Sequence, residues 1–128
     1  MTAKLRYLSP EWRVVAERRL RADLPPERMN YITSSMSNIY LNCPDGKENY
    51  LLFRFEKGAL QELKLGEGEP PAAEFRVVGE YGIFSQISQA ELGSLKALMT
   101  GKLKLKGNMV KALKLASVCD RIGHAKTR

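Results

Sequence analysis

The chain has few side chains suited to metal binding or nucleophilic chemistry, and they are poorly placed for it. Its soft ligands are Cys43, Cys119 and a single histidine, His124. No CxxC or CxxH spacing occurs, so a structural or catalytic zinc site lacks ligands. A Cys–His nucleophile pair would have to be Cys119 with His124, out in the C-terminal tail. The two cysteines fall on different expected elements. A disulfide between them stays open, but two buried free thiols are the favoured reading. Asp and Glu are scattered through expected strands and loops, with no spacing that singles out an acid–base pair. Surface solvation accounts for them.

Glycine motifs fail in the same way. Gly101 to Gly107 has the outline of a phosphate loop, but Asn108 and Met109 follow where Lys and Ser/Thr are needed. Gly66 and Gly68 run into Pro70-Pro71, which excludes a dinucleotide fingerprint. There is no Gly-x-Ser-x-Gly elbow. The expectation is a chain that is not an enzyme and needs no cofactor and no metal.

The elements around these residues are more informative. Ser9-Pro10-Glu11 reads as a helix start: a cap, a residue preset for the first turn, and an acid that complements the dipole. Trp12, Val15, Ala16 and Leu20 follow at helical spacing, with Arg13, Glu17, Arg18 and Arg21 on the other sides. Pro25-Pro26 ends the helix. Ile39, Leu41 and Cys43 then alternate with Asn38, Tyr40 and Asn42, the period of a half-buried strand with the first set facing the core. Pro44-Asp45-Gly46 is a turn. Tyr50 to Glu56 is a second strand, with Leu51, Phe53 and Phe55 on one face. Lys57-Gly58 is a tight hairpin loop, and Ala59 to Leu65 a third strand. Residues 66–71 read as loop. Glu74 to Glu80 is a fourth strand, with Phe75, Val77 and Gly79 on one side.

Then the period changes. Ile83, Phe84 and Ile87 suggest a short helix. Ser88-Gln89-Ala90-Glu91 has the form of a capping box opening another, with Leu92, Leu95 and Met99 as its apolar stripe. Gly101 suits its end. Lys102-Leu103-Lys104-Leu105-Lys106 alternates strictly, so it is a strand with a leucine face toward the core and a lysine face toward solvent. Gly107 turns the chain, Asn108 can cap a last helix, and Met109, Ala112, Leu113 and Ala116 form that helix's inner face. The expected fold is α+β, helices against one five-stranded sheet, in a single domain spanning 1–128 with its core at about 9–122.

Charge is uneven. Residues 1–28 carry seven Lys/Arg against four Asp/Glu, residues 29–101 six against nine, and residues 102–128 eight against one, for a net charge of +7. The excess can attract anionic lipid, nucleic acid or an acidic protein, or simply keep an edge solvated. The Arg-rich first helix and the basic C-terminal segment are the parts expected to give weak, salt-sensitive contact with an anionic membrane surface. No apolar run approaches the roughly 18 residues of a membrane span. The start of the chain has no apolar leader, and Ala125-Lys126-Thr127-Arg128 is not a peroxisomal address. The cytoplasm is the expected compartment.

One stretch is specific. Met99-Thr100-Gly101-Lys102-Leu103-Lys104-Leu105-Lys106-Gly107-Asn108-Met109, followed by Ala112-Leu113-Lys114-Leu115, resembles the signature strand and final helix of the sterol carrier protein 2 (SCP2) family. The meander before it, with Pro44-Asp45-Gly46 and Lys57-Gly58 at its turns, is similar to that family's. The resemblance covers about residues 9–122. The Asn-Pro turn typical of the family between its last two helices is absent, with Ser88-Gln89 in its place. The resemblance implies a sheet and helices enclosing an apolar tunnel that binds and carries lipids or fatty acyl chains without catalysis. Its lipid-binding walls would be Ile39, Leu41, Phe53, Phe55, Leu103 and Leu105 from strands, and Phe84, Leu95, Met99, Met109 and Leu113 from helices. Periodicity alone makes Leu103, Leu105, Met109 and Leu113 a dry core; the resemblance is what raises the tunnel. Two rivals remain. A basic nucleic-acid-binding domain would suit the charge, but Lys102, Lys104 and Lys106 have no interleaved aromatics for stacking bases, so no nucleic acid is expected. An accessory subunit of an acyl-processing enzyme is the other.

Overall fold

The structure is a computed structural model that describes residues 7–29, 31–89 and 91–108. Within it the elements run α1 (Pro10–Asp23), β1 (Ser34–Leu41), β2 (Asn49–Glu56), β3 (Ala59–Glu67), β4 (Phe75–Glu80), α2 (Tyr81–Ser88), α3 (Ser94–Met99) and β5 (Leu103–Lys106). The last helix expected from sequence, with Met109 and Leu113, lies outside the described residues.

Ser9 caps α1 as expected: its Oγ accepts from the Trp12 amide at 3.2 Å. Trp12, Ala16 and Leu20 form the buried stripe. The helix lies on β3, and two arginines fasten it there. Arg13 donates to the Leu63 carbonyl at 3.1 Å and Arg21 to the Leu60 carbonyl at 2.7 Å. Glu17 sits between them, 2.7 Å from Arg13 and 2.9 Å from Arg21. Its carboxyl is held below its ordinary value by the hydrogen bond from Arg21 first and that from Arg13 second. Arg13 and Arg21 therefore serve the fold, although their spacing marks them as solvated.

The five strands form one sheet in the order β3-β2-β1-β4-β5, with β1 and β4 parallel and the other neighbours antiparallel. Lys57 and Gly58 both have positive φ in the β2–β3 hairpin, the geometry a two-residue turn requires. Gly58 is needed for a second reason. Its amide donates to the Ile32 carbonyl at 2.8 Å, and a Cβ there would lie 2.7 Å from the Pro26 carbonyl oxygen. One register shift, between Arg54 and Phe55, pairs Phe55 with Leu60 and Arg54 with Glu62. The extra residue, Gln61, is why Leu60 and Leu63 share a face although three positions separate them. The third strand continues two residues past Leu65, with Gly66 paired to Tyr50.

The start of α3 differs from expectation. Ser88 closes α2 rather than capping α3, its Oγ donating to the Ser85 carbonyl at 2.8 Å. Gly93 occupies the cap position of α3 with no side-chain bond. A serine followed three residues later by Glu is a capping box only when its backbone leaves the helix, and here Ser88 is still helical.

Candidate functional site

The register defines which side chains share the face covered by helices. One row across the sheet is Leu65, Leu51, Asn38, Val77 and Leu105; the next is Leu63, Phe53, Met36 and Phe75; beyond the first lie Asn49, Tyr40, Gly79 and Leu103. The apolar members of these rows and the buried sides of the helices form one cluster, including Trp12, Leu20, Phe84, Ile87 and Ala97. Gly79 is a place where strand and helix approach closely: a Cβ there would meet Leu103 and Phe84.

Within this apolar wall runs a short polar chain. The Tyr7 and Tyr40 hydroxyls are 3.0 Å apart, and the Asn38 Nδ2 donates to the Tyr40 hydroxyl at 3.4 Å. The Tyr81 hydroxyl donates to the Tyr7 carbonyl at 3.1 Å. Aromatic rings pack around it, Tyr7 against Trp12 at 4.8 Å and Tyr40 against Phe84 at 4.3 Å. Buried polar atoms persist in a core when they are paired, so these hydroxyls fix how β1, α2 and the residues before α1 meet. A small cleft of about 40 Å³ opens beside this chain, lined by Tyr7, Leu8, Cys43, Pro44, Asp45, Asn49 and Tyr81. Cys43 is a free, buried thiol there. The Asp45 carboxyl is held below its ordinary value, chiefly by accepting from the Lys47 amide. Among the described residues no group of His, Cys, Asp and Glu could hold a metal ion, and no helix is long and apolar enough to cross a membrane.

The residues expected to line the site divide into those on the covered face and those turned away from it. Phe53, Phe55, Phe84 and Leu103 are buried together in the cluster, and Leu105 is half-buried against it. Met99 is corrected. It is 79% exposed, because the six-residue α3 turns Ser94 and Ala97 inward instead. Ile39 and Leu41 are also corrected. They point to the opposite face, and Met36, Asn38 and Tyr40 take the covered one. The inversion has a physical cause. The Tyr40 hydroxyl bonds both Tyr7 and the Asn38 amide nitrogen, so these polar side chains can be buried. Asn42 then adopts a positive φ of 54°, which breaks the alternation and turns Cys43 inward with the opposite phase. The side chain of Leu95 and the residues Met109 and Leu113 lie outside the described residues. Met36, Asn38, Tyr40 and Tyr7 are the members that hydropathy misses.

The lysine strand behaves as its pattern requires: Leu103 is buried, Leu105 half-buried, and Lys102, Lys104 and Lys106 are exposed.

Comparison with curated protein sequences gave no match. Solved structures do match in fold. A crystal structure of sterol carrier protein 2 is 20% identical with a TM-score of 0.76, covering 94% of this chain and 97% of that one. A conserved hypothetical protein of Thermus thermophilus, described as possibly a sterol carrier protein, is 20% identical with a TM-score of 0.72, over 94% and 92% of the two chains. A palmitated SCP2-like protein from Aedes aegypti is 21% identical with a TM-score of 0.62, over 87% and 94%. The signature strand, the meander and this architecture agree with the sequence model of the SCP-2 sterol transfer family, which matches residues 18–120, and the chain belongs to that family.

Proposed function

We propose that this protein binds and carries lipids or fatty acyl chains, without catalysis, in an apolar tunnel between the covered face of its sheet and its helices. Membership of a sterol-transfer family supports the reading. The observation that carries it is the covered face itself, where apolar side chains from all five strands join those of the helices in one cluster. Enclosing an acyl chain gains roughly 0.8 kcal/mol per buried CH₂. A dozen carbons thus give useful affinity without a dedicated polar contact, in keeping with a chain that carries no catalytic motif. The mosquito relative described as palmitated is a precedent for an acyl ligand in this fold. Phe53, Phe84 and Leu103 would form the deep wall and Leu105 a margin; Leu95, Met109 and Leu113 are proposed to close it from the helical side.

Native mass spectrometry of the purified protein should reveal co-purified lipid, and a fluorescent fatty acid should bind with displacement by unlabelled acyl chains. Leu105→Trp fills space at the margin. It should abolish acyl binding while leaving the fold intact. Absence of acyl binding by the parent protein, or full binding by the tryptophan variant, would sink the tunnel.

A further inference from the structure

We propose that the corner joining α3 to β5 is the surface by which this protein docks on an anionic lipid bilayer. The proposal takes its purpose from the carrier reading, since a carrier must meet the membrane it loads from.

Met99 ends α3 and is the most exposed of the large apolar side chains among the described residues, at 79%. Lysines surround it in the chain. Lys96 stands one helical turn before it, Lys102 follows the Thr100-Gly101 turn, and Lys104 and Lys106 continue along the solvent face of β5; all four are exposed. Among the described residues, none of these ammonium groups takes part in an ion pair. Glu80, which follows the β4 residue paired with Leu103, is already engaged by the Asn42 amide at 2.9 and 2.8 Å. An exposed apolar tip that leads through one turn into a row of exposed cations along an outer strand supplies the pair of signals that interfacial binding needs: a side chain to enter the headgroup region and charges to hold it there. A nucleic-acid surface would instead call for aromatic platforms, and the sequence from Lys96 to Lys106 has none.

The first helix, the more obvious basic element, is less available. Two of its arginines, Arg13 and Arg21, are bound to β3 carbonyls and to Glu17. Drawing them to a membrane would break those bonds, whereas among the described residues the corner lysines have no ion pair to give up.

Flotation with vesicles of phosphatidylcholine, alone or mixed with phosphatidylserine, tests the assignment at low and high salt. The variants are the triple change Lys102→Gln, Lys104→Gln, Lys106→Gln, the single change Met99→Gln, and Arg18→Gln on α1 as the rival surface. All these side chains are exposed, so folding should persist, which circular dichroism checks. The parent should bind the anionic vesicles and lose binding as salt rises. The triple variant should bind about a hundredfold more weakly, near fivefold per lysine. Met99→Gln should weaken binding several-fold and leave the salt dependence in place; Arg18→Gln should change little. The assignment is overturned if the triple variant keeps parental vesicle binding, if Arg18→Gln causes the larger loss, or if the triple variant loses only binding to a single-stranded oligonucleotide. Fluorescent acyl binding without vesicles, measured in parallel, separates the two readings. Loss of vesicle binding in the triple variant alongside unchanged acyl binding supports both. A parent that binds vesicles through these lysines but no acyl chain leaves the docking surface standing and removes the carrier.

Discussion

The two faces of the sheet solve burial differently. On the covered face the Tyr40 hydroxyl and the Asn38 amide nitrogen are bonded within a continuous apolar cluster. On the opposite face Leu52 and Tyr50 are also buried, with Ile39, Leu41 and Val78 half-buried beside them. There Ser37 is fully buried and its hydroxyl has no hydrogen-bond partner among the described residues. Arg54 and Arg76 stand at the margins of that face, paired with Glu62 and Glu69. Apolar content therefore does not distinguish the faces. The distinction is that one meets helices through a chain of hydrogen-bonded hydroxyls. Among the described residues the other face buries a serine outside any such chain and is rimmed by long charged side chains, although the covered side too has one unpartnered donor, the Trp12 Nε1.

Substitutions ranked by expected size can break this contrast. Phe53→Ala removes a fully buried ring at the centre of the covered face and should cost about 3–5 kcal/mol in chemical denaturation. A loss below about 1 kcal/mol would mean that the face is loosely filled. Tyr40→Phe keeps the ring against Phe84 but takes a hydroxyl from Tyr7 and Asn38. Losing these buried hydrogen bonds should cost about 0.5–1.5 kcal/mol, and an unchanged melting curve would show that the polar chain is dispensable. Glu17→Gln tests how α1 is held. The carboxyl titrates below its usual range when folded, so its contribution is present at neutral pH and fades as pH falls through that lowered value. With partners partly open to solvent, the effect should be about 0.5 kcal/mol at neutral pH. Parent and variant stabilities should converge in acid; a gap that widens there would reverse the sign. Ser37→Ala removes the orphaned hydroxyl, and stability should stay within about 0.5 kcal/mol of the parent or rise. A clear loss would reveal a partner for that group.

The same contrast explains how far the sequence can be read. Strict alternation in Leu103 to Lys106 and the Leu51, Phe53, Phe55 series assigns their faces correctly, because one side of each strand is plainly the more apolar. The capped start of α1 and the Lys57-Gly58 hairpin are legible from local stereochemistry. β1 is not, because both of its sides are partly buried and the face that meets the helices carries the tyrosine and asparagine. Only their partners, Tyr7 33 residues away among them, make that burial possible. Met99 departs from its pattern for a simpler reason: the stripe of Leu92, Leu95 and Met99 assumes a longer helix than α3, which starts at Ser94. Nothing in local sequence separates a box that caps a helix from a serine that finishes one.

The arginines that fasten α1 have an effect beyond their own helix. β3 is an outer strand of the sheet, and outer strands offer unpaired backbone groups on which another chain can build. Arg13 and Arg21 occupy two of the carbonyls there, so a second molecule would first have to peel the helix away. Self-association through this margin is thereby tied to the local opening of α1. Conditions that loosen the helix before the sheet, acid among them, should bring on strand-to-strand polymerisation while most of the β structure is still native.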